Sequence, residues 1–162
     1  MPEALNRDFS SHYQRQFSDI YITMIRTGII EGAAFTGGEL IRLLLNHPDV
    51  HLIFITGRGN SGQYIHEVHR GLYGETDLQF AEEPELDKID LLFLCTDAEE
   101  SRQFMQSHEI PERLKIIDFS REFRLKSEGD EFIYGLPELN RRAICKSRFV
   151  ANPGNFATCI TL

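Results

Sequence analysis

The run Ile25-Arg26-Thr27-Gly28-Ile29-Ile30-Glu31-Gly32-Ala33-Ala34-Phe35-Thr36-Gly37-Gly38-Glu39-Leu40-Ile41-Arg42-Leu43-Leu44-Leu45-Asn46 decides the fold. Its opening is apolar and β-favouring, its middle is small and glycine-rich, and its close carries apolar residues at helical spacing, Leu40, Leu43 and Leu44. Strand, small-residue turn and helix in that order make the first unit of a parallel α/β sheet.

Working outward, the spacing predicts a strand over Ile25–Ile30 and a helix over Thr36–Asn46 that Pro48 terminates. Val50–Thr56 reads as a second strand, Tyr64–Arg70 as a weaker helix and Asp77–Phe80 as a short strand. Ile89–Thr96 is apolar throughout Leu91–Cys95, the pattern of a parallel strand buried on both faces. Ala98–Ser107 is helical, and Leu114–Asp118 and Arg148–Ala151 are further strands. The alternation predicts βαβ units with right-handed crossovers. The expected fold class is therefore α/β, a Rossmann-like, doubly wound, mostly parallel sheet with helices on both faces. No internal repeat, low-complexity tract or linker interrupts it.

Composition narrows the function. The 162 residues suit one domain, and 17 Lys+Arg against 25 Asp+Glu leave a formal charge of −8. That acidic balance excludes a nucleic-acid binder, because no basic stripe is available to neutralise phosphates. The longest mainly apolar stretches, Ile41–Leu45 and Ile89–Cys95, hold Arg42 and Asp90 and fall far short of the ~18 residues of a membrane span. Cys95, Cys145 and Cys159 are an odd set with no CxxC spacing, which points away from disulfides and zinc and towards a reducing cytoplasm. Residues 1–23 have no apolar signal core; they read as a loose extension before Met24, with an amphipathic helix around Phe9–Ile20 as the structured alternative.

The glycine turn carries the chemistry. A helix N-terminus entered through residues without bulk lets backbone N–H groups approach a pyrophosphate. Gly28, Gly32, Ala33, Ala34, Phe35 and Thr36 are the candidate dinucleotide-binding residues there. Glu31 opposes binding, since a carboxylate beside phosphate charge in a partly desolvated site costs several kcal/mol. At the end of the second strand, Thr56-Gly57-Arg58-Gly59-Asn60-Ser61-Gly62 adds Arg58 and Ser61 to the candidate site. An acidic residue at that place holds a ribose 2′-hydroxyl, whereas an arginine accommodates a 2′-phosphate, so Arg58 favours NADP over NAD; the bland alternative is a solvated loop arginine.

Four segments in order resemble one family: Gly28–Leu45, Ile117-Asp118-Phe119-Ser120-Arg121-Glu122-Phe123-Arg124, Tyr134-Gly135-Leu136-Pro137-Glu138-Leu139-Asn140, and Ala151-Asn152-Pro153-Gly154-Asn155-Phe156-Ala157-Thr158. Together they look like N-acetyl-gamma-glutamyl-phosphate reductase, an NADPH-dependent enzyme of arginine biosynthesis, across Met24 to Leu162. The resemblance implies an NADP(H) cofactor and a small acyl-phosphate substrate. In that chemistry a cysteine thiolate displaces phosphate, and hydride reduces the thioester to N-acetyl-glutamate 5-semialdehyde. It also implies a homo-oligomer in full-length relatives. The family cysteine stands at the position of Asn155, and an amide is not a nucleophile at neutral pH. Cys159 lies one helical turn further, about 6 Å along the axis, and is expected to be a small buried hydrophobe.

Other departures from the family pattern gather near the same chemistry. Glu31 and Ala34 replace two glycines of the turn, and Ala98 and Glu99 stand where the family carries a His-Gly pair. The resemblance divides the chain into an extension (1–23), a dinucleotide-binding domain (24–154) and the start of the family's catalytic domain (155–162). That domain carries the catalytic histidine and otherwise lies beyond this sequence. The expected function is that of the reductase lineage, with this chain inactive as given. The alternatives are a non-catalytic Rossmann-fold binding domain or degraded pseudoenzyme, and, lower, an aspartate-semialdehyde dehydrogenase relative, which lacks the Tyr134–Asn140 motif.

Remaining clusters take bland readings. His66 and His69 lack a third ligand and read as a solvated helix face rather than a metal site. Asp97, Glu99 and Glu100 read as acids complementing a helix N-terminus, Glu82-Glu83-Pro84-Glu85 as a solvated loop, and Cys95 as core.

Overall fold

A computed structural model describes residues 24–125 and 131–162. The proposed N-terminal extension and its helical alternative lie outside the described residues. Six strands form one sheet: β1 (Ile25–Ile30), β2 (Val50–Ile55), β3 (Leu91–Leu94), β4 (Lys115–Asp118), β5 (Phe132–Tyr134) and β6 (Phe149–Ala151). Their order is β2-β1-β3-β4-β6-β5, and every pairing is parallel. The helices are α1 (Phe35–Leu45), the single turn α2 (Ile65–Val68), α3 (Ala98–Ser107), α4 (Pro137–Lys146) and α5 (Asn155–Thr161).

Strand alternation sends neighbouring side chains to opposite faces, with a register slip between Leu52 and Phe54 of β2, and two cores result. Ile29, Leu52, Ile55 and Phe93 pack with Leu40, Ile41 and Leu44 of α1 on one face. Ile30, Phe54, Leu92, Leu94 and Ile116 pack with Phe104 of α3 on the other. The doubly wound architecture is thus in place, and the sheet is parallel throughout. Between β1 and β3 the strand order reverses direction, the place where α/β sheets open a crevice at their carboxyl ends. At the opposite end Arg26 fixes this pair. Its guanidinium donates to Asp90 Oδ1 at 2.6 Å and Oδ2 at 2.9 Å, and holds that carboxyl below the usual range.

Three local expectations need correction. Asp77–Phe80 is no strand: only isolated bridges join Tyr64 to Gln79 and Thr56 to Ala81, because Phe80 is drawn singly into the core while Leu78 stays partly exposed. The helix predicted over Tyr64–Arg70 is one α-turn followed by a 3₁₀ turn at Arg70–Leu72, since His69 leaves helical geometry. Cys159 is exposed rather than buried, because α5 presents it away from either core. Two elements not anticipated, β5 and α4, are joined through the Tyr134–Asn140 segment. There Gly135 lies so close to Val150 that a Cβ would meet its Cγ1 at 2.5 Å, and the Asn140 amide donates to the Tyr134 carbonyl at 3.0 Å.

Candidate functional site

The turn between β1 and α1 is built by close packing. A Cβ on Gly32 would lie 2.3 Å from Ile55 Cγ2, and one on Gly37 would lie 2.5 Å from the Gly32 Cα. Glycine at both places brings the turn and the first turn of α1 into backbone contact. Gly32 N–H donates to the Thr56 carbonyl at 2.8 Å, tying the turn to β2. His69 closes the outer side: its Nε2 lies 2.7 Å from the Gly32 carbonyl, and its ring occupies the space a Cβ on Gly38 would fill. The expected solvated role is therefore corrected for His69, which wedges the turn in place.

Ala34 is the N-cap of α1 and supplies no side-chain cap, so the opening N–H groups are left for another acceptor. Phe35 is 84% exposed beside it, and Thr36 is exposed as well. This cradle fits the pyrophosphate of a dinucleotide. Gly28 does not belong to it. It sits inside β1 beneath the Phe54 ring, whose Cζ would be 2.4 Å from a Cβ, so its smallness serves the sheet.

Glu31 adopts φ 58°, the left-handed region, unlike any other described non-glycine residue. Its Oε1 accepts the Arg58 backbone N–H at 3.2 Å, which draws the carboxylate towards the β2 loop. Arg58 in turn pairs its guanidinium with Glu100 on α3. Glu100, Glu31 and Asp97 together hold the arginine above its ordinary pKa, the Glu100 hydrogen bond being the largest influence. A groove of about 320 Å³ runs along this edge, with Glu31, Thr56, Arg58, Ser61, Phe104 and His108 in its walls. The structure thus brings Arg58 and Ser61 together at one groove, next to the turn but distinct from Gly28.

Asn155 opens α5 on the far side of the sheet order, exposed, with Gly154 as N-cap. Beside it Arg121, Arg124, Tyr134 and Gly154 line a groove of about 550 Å³. Arg124 is aimed by carbonyls: Nε donates to Asn152 at 2.9 Å and Nη2 to Phe119 at 2.8 Å. Ala98 and Glu99 line a third groove with Arg102, Ser120 and Arg121. Cys145 and Cys159 are exposed, and Cys95 lies in the core. Cys95 is buried, and desolvation pushes its thiol up to about 12, so it stays protonated. Sequence reasoning missed the Glu100 and His69 contacts and the Arg121/Arg124 pair. Only the arginines left a signal, their three-residue spacing in Ser120–Arg124.

At the carboxyl end of the interior strand β4, Asp118 is fully buried. It accepts from Ser101 Oγ at 2.5 Å and Ser120 Oγ at 2.6 Å, and Thr96 Oγ1 lies 2.7 Å from Ser101 Oγ. Burial raises the carboxyl above its ordinary range despite these donors. The network locks the carboxyl ends of β3 and β4 to α3.

A parallel sheet with a close-packed glycine turn at its switch point, opening onto an uncapped helix, defines a dinucleotide-binding α/β domain. The chain belongs to the semialdehyde dehydrogenase NAD-binding domain family, whose model matches residues 26–147. It is 62% identical over 139 residues to the N-acetyl-gamma-glutamyl-phosphate reductase of Phocaeicola vulgatus, a match covering 86% of this chain and 43% of that protein. The reductase of the same name from Bacteroides thetaiotaomicron is 59% identical over the same span. The chain therefore spans less than half the length of these relatives. Among solved structures, aspartate semialdehyde dehydrogenase with NADP from Candida albicans superposes with a TM-score of 0.59 at 15% identity, covering 79% of this chain and 42% of that one. The Francisella tularensis enzyme gives 0.59 at 18% identity, covering 81% and 37%. These structures share the fold.

Proposed function

We propose that this chain is the dinucleotide-binding half of an NADP-dependent N-acetyl-gamma-glutamyl-phosphate reductase lineage, with the thiol chemistry lost. The observation that carries it is the high identity to reductases of that name, 62% and 59% over 139 residues. Gly32, Ala33, Ala34, Phe35 and Thr36 hold the pyrophosphate end, and Arg58 and Ser61 the adenosine ribose. NADPH when bound supplies hydride; the protein supplies binding and orientation. Glu31 weakens the affinity, although its carboxylate is turned towards the Arg58 amide.

Asn155 takes the place where the lineage positions a thiolate at a helix start, so acyl transfer from an acyl phosphate lacks its thiol at that position. The expected outcome is no turnover. The assay is phosphate-dependent reduction of NADP⁺ with N-acetyl-glutamate 5-semialdehyde. A rate above the protein-free blank would overturn the loss of chemistry.

A further inference from the structure

The carboxyl ends of β2, β1 and β3 stand side by side, and each contributes one charged group to a single chain of contacts. Arg58 follows β2, Glu31 follows β1, and Glu100 lies in the first turn of α3 after β3. The ion pair between the Arg58 and Glu100 side chains therefore passes over the end of β1, at the point where the strand order reverses. That is where a dinucleotide crosses such a sheet.

Glu100 is one of the acids in the first turn of α3, and among the described contacts its side chain bonds Arg58. The N-cap role on α3 belongs to Asp97, whose Oδ1 accepts the Glu100 N–H at 2.9 Å. Glu99 is occupied with Arg102 at 3.2 Å and Gln103 at 3.0 Å. The Glu100 side chain is 27% exposed and that of Arg58 73%, so the arginine end of the pair is free to move while the carboxylate is held on the helix. Carboxylate and phosphate compete for the same guanidinium fork.

We infer that the Arg58–Glu100 pair is a latch across the dinucleotide crevice, and that Glu100 tunes selectivity by competing with the ligand's 2′-phosphate for Arg58. This rests on the dinucleotide-binding reading above. A 2′-phosphorylated nucleotide gains Arg58 only by displacing Glu100, and it then meets that carboxylate as a like charge. A nucleotide without the 2′-phosphate leaves the latch shut. Glu100 thus narrows the preference for NADP that Arg58 creates.

The test uses adenosine 2′,5′-bisphosphate and adenosine 5′-monophosphate as probes, titrated calorimetrically into the full chain. Glu100→Gln and, as a second variant, Glu100→Ala are expected to tighten the bisphosphate roughly two- to five-fold, the span of an exposed ion pair, and to leave the monophosphate unchanged. Arg58→Ala is expected to equalise the two probes and to abolish the effect of Glu100→Gln in the double variant. Unchanged bisphosphate affinity in both Glu100 variants, or equal tightening of both probes, overturns the latch. So does an Arg58→Ala variant that still prefers the bisphosphate, and in either case the dinucleotide reading stands. If neither probe binds the natural chain, Glu100→Gln or Glu31→Gly, the dinucleotide reading itself falls and the latch with it.

Discussion

Glu31→Gly is expected to leave the chain more stable than Glu31→Ala does, and the difference follows from backbone conformation alone. Glu31 sits at φ 58°. A non-glycine residue in the left-handed region carries roughly 1–2 kcal/mol of steric cost that glycine escapes. Two effects work the other way. Glycine loses about 0.4–1 kcal/mol more conformational freedom on folding. Both variants lose the bond from the Arg58 N–H to Oε1 at 3.2 Å, which on this exposed loop belongs at the low end of roughly 0.5–1.5 kcal/mol. The glycine variant should therefore lie between about 0.5 kcal/mol below and about 1 kcal/mol above the natural chain, with the alanine variant about 1 kcal/mol below it. Urea unfolding of the chain at neutral pH, with a common slope, measures both. Glu39 is the control. It lies in α1 with helical geometry, so there Gly falls about 1 kcal/mol below Ala. Equal stability of the two Glu31 variants, or alanine above glycine, would refute the strain.

Three further outcomes follow from the same contacts. Gly28→Ala is expected to cost about 1–3 kcal/mol in urea unfolding, since its Cβ would meet Phe54 Cζ at 2.4 Å, whereas Gly71→Ala, with nothing within 4 Å, should cost far less. Asp118 has its folded pKa raised from 3.8 by burial, so the folded state binds more protons than the unfolded one above that pH. Its contribution is largest below 3.8 and is lost as pH rises through the folded value. Unfolding titrations should thus show Asp118→Asn gaining on the natural chain as pH rises from about 4, and a pH-independent difference would contradict this. His69→Ala removes the wedge against Gly32 and Gly38, and hydrogen exchange at the Gly32 and Ala34 amides should speed up relative to the β3 amides.

The parts of the fold written in short-range pattern were legible. β1 over Ile25–Ile30 and α3 over Ala98–Ser107 match the expected spans, because β1 runs straight into the small-residue turn and α3 opens on Asp97 as its cap. α4 buries no residue, so it has no apolar stripe to read, and β5 is a three-residue strand whose place is set by β6. Asp77–Phe80 alternates like a strand, yet its partner is a lone bridge rather than a ladder. In the candidate site the residue types were legible and the conformations were not. Gly28 looked like part of the turn until the Phe54 ring was placed against it. The contact from Arg58 to Glu100 joins residues 42 apart in sequence, and the His69 bond to Gly32 joins residues 37 apart. Only the packed sheet brings such pairs together.

The most direct measurement is a calorimetric titration of the natural chain and Arg58→Ala with NADPH and with NADH. NADPH should bind more tightly than NADH to the natural chain, and Arg58→Ala should bring the two together by weakening NADPH alone. Absence of binding by either cofactor, persisting in Glu31→Gly, would contradict a dinucleotide site at the carboxyl ends of β1 and β2.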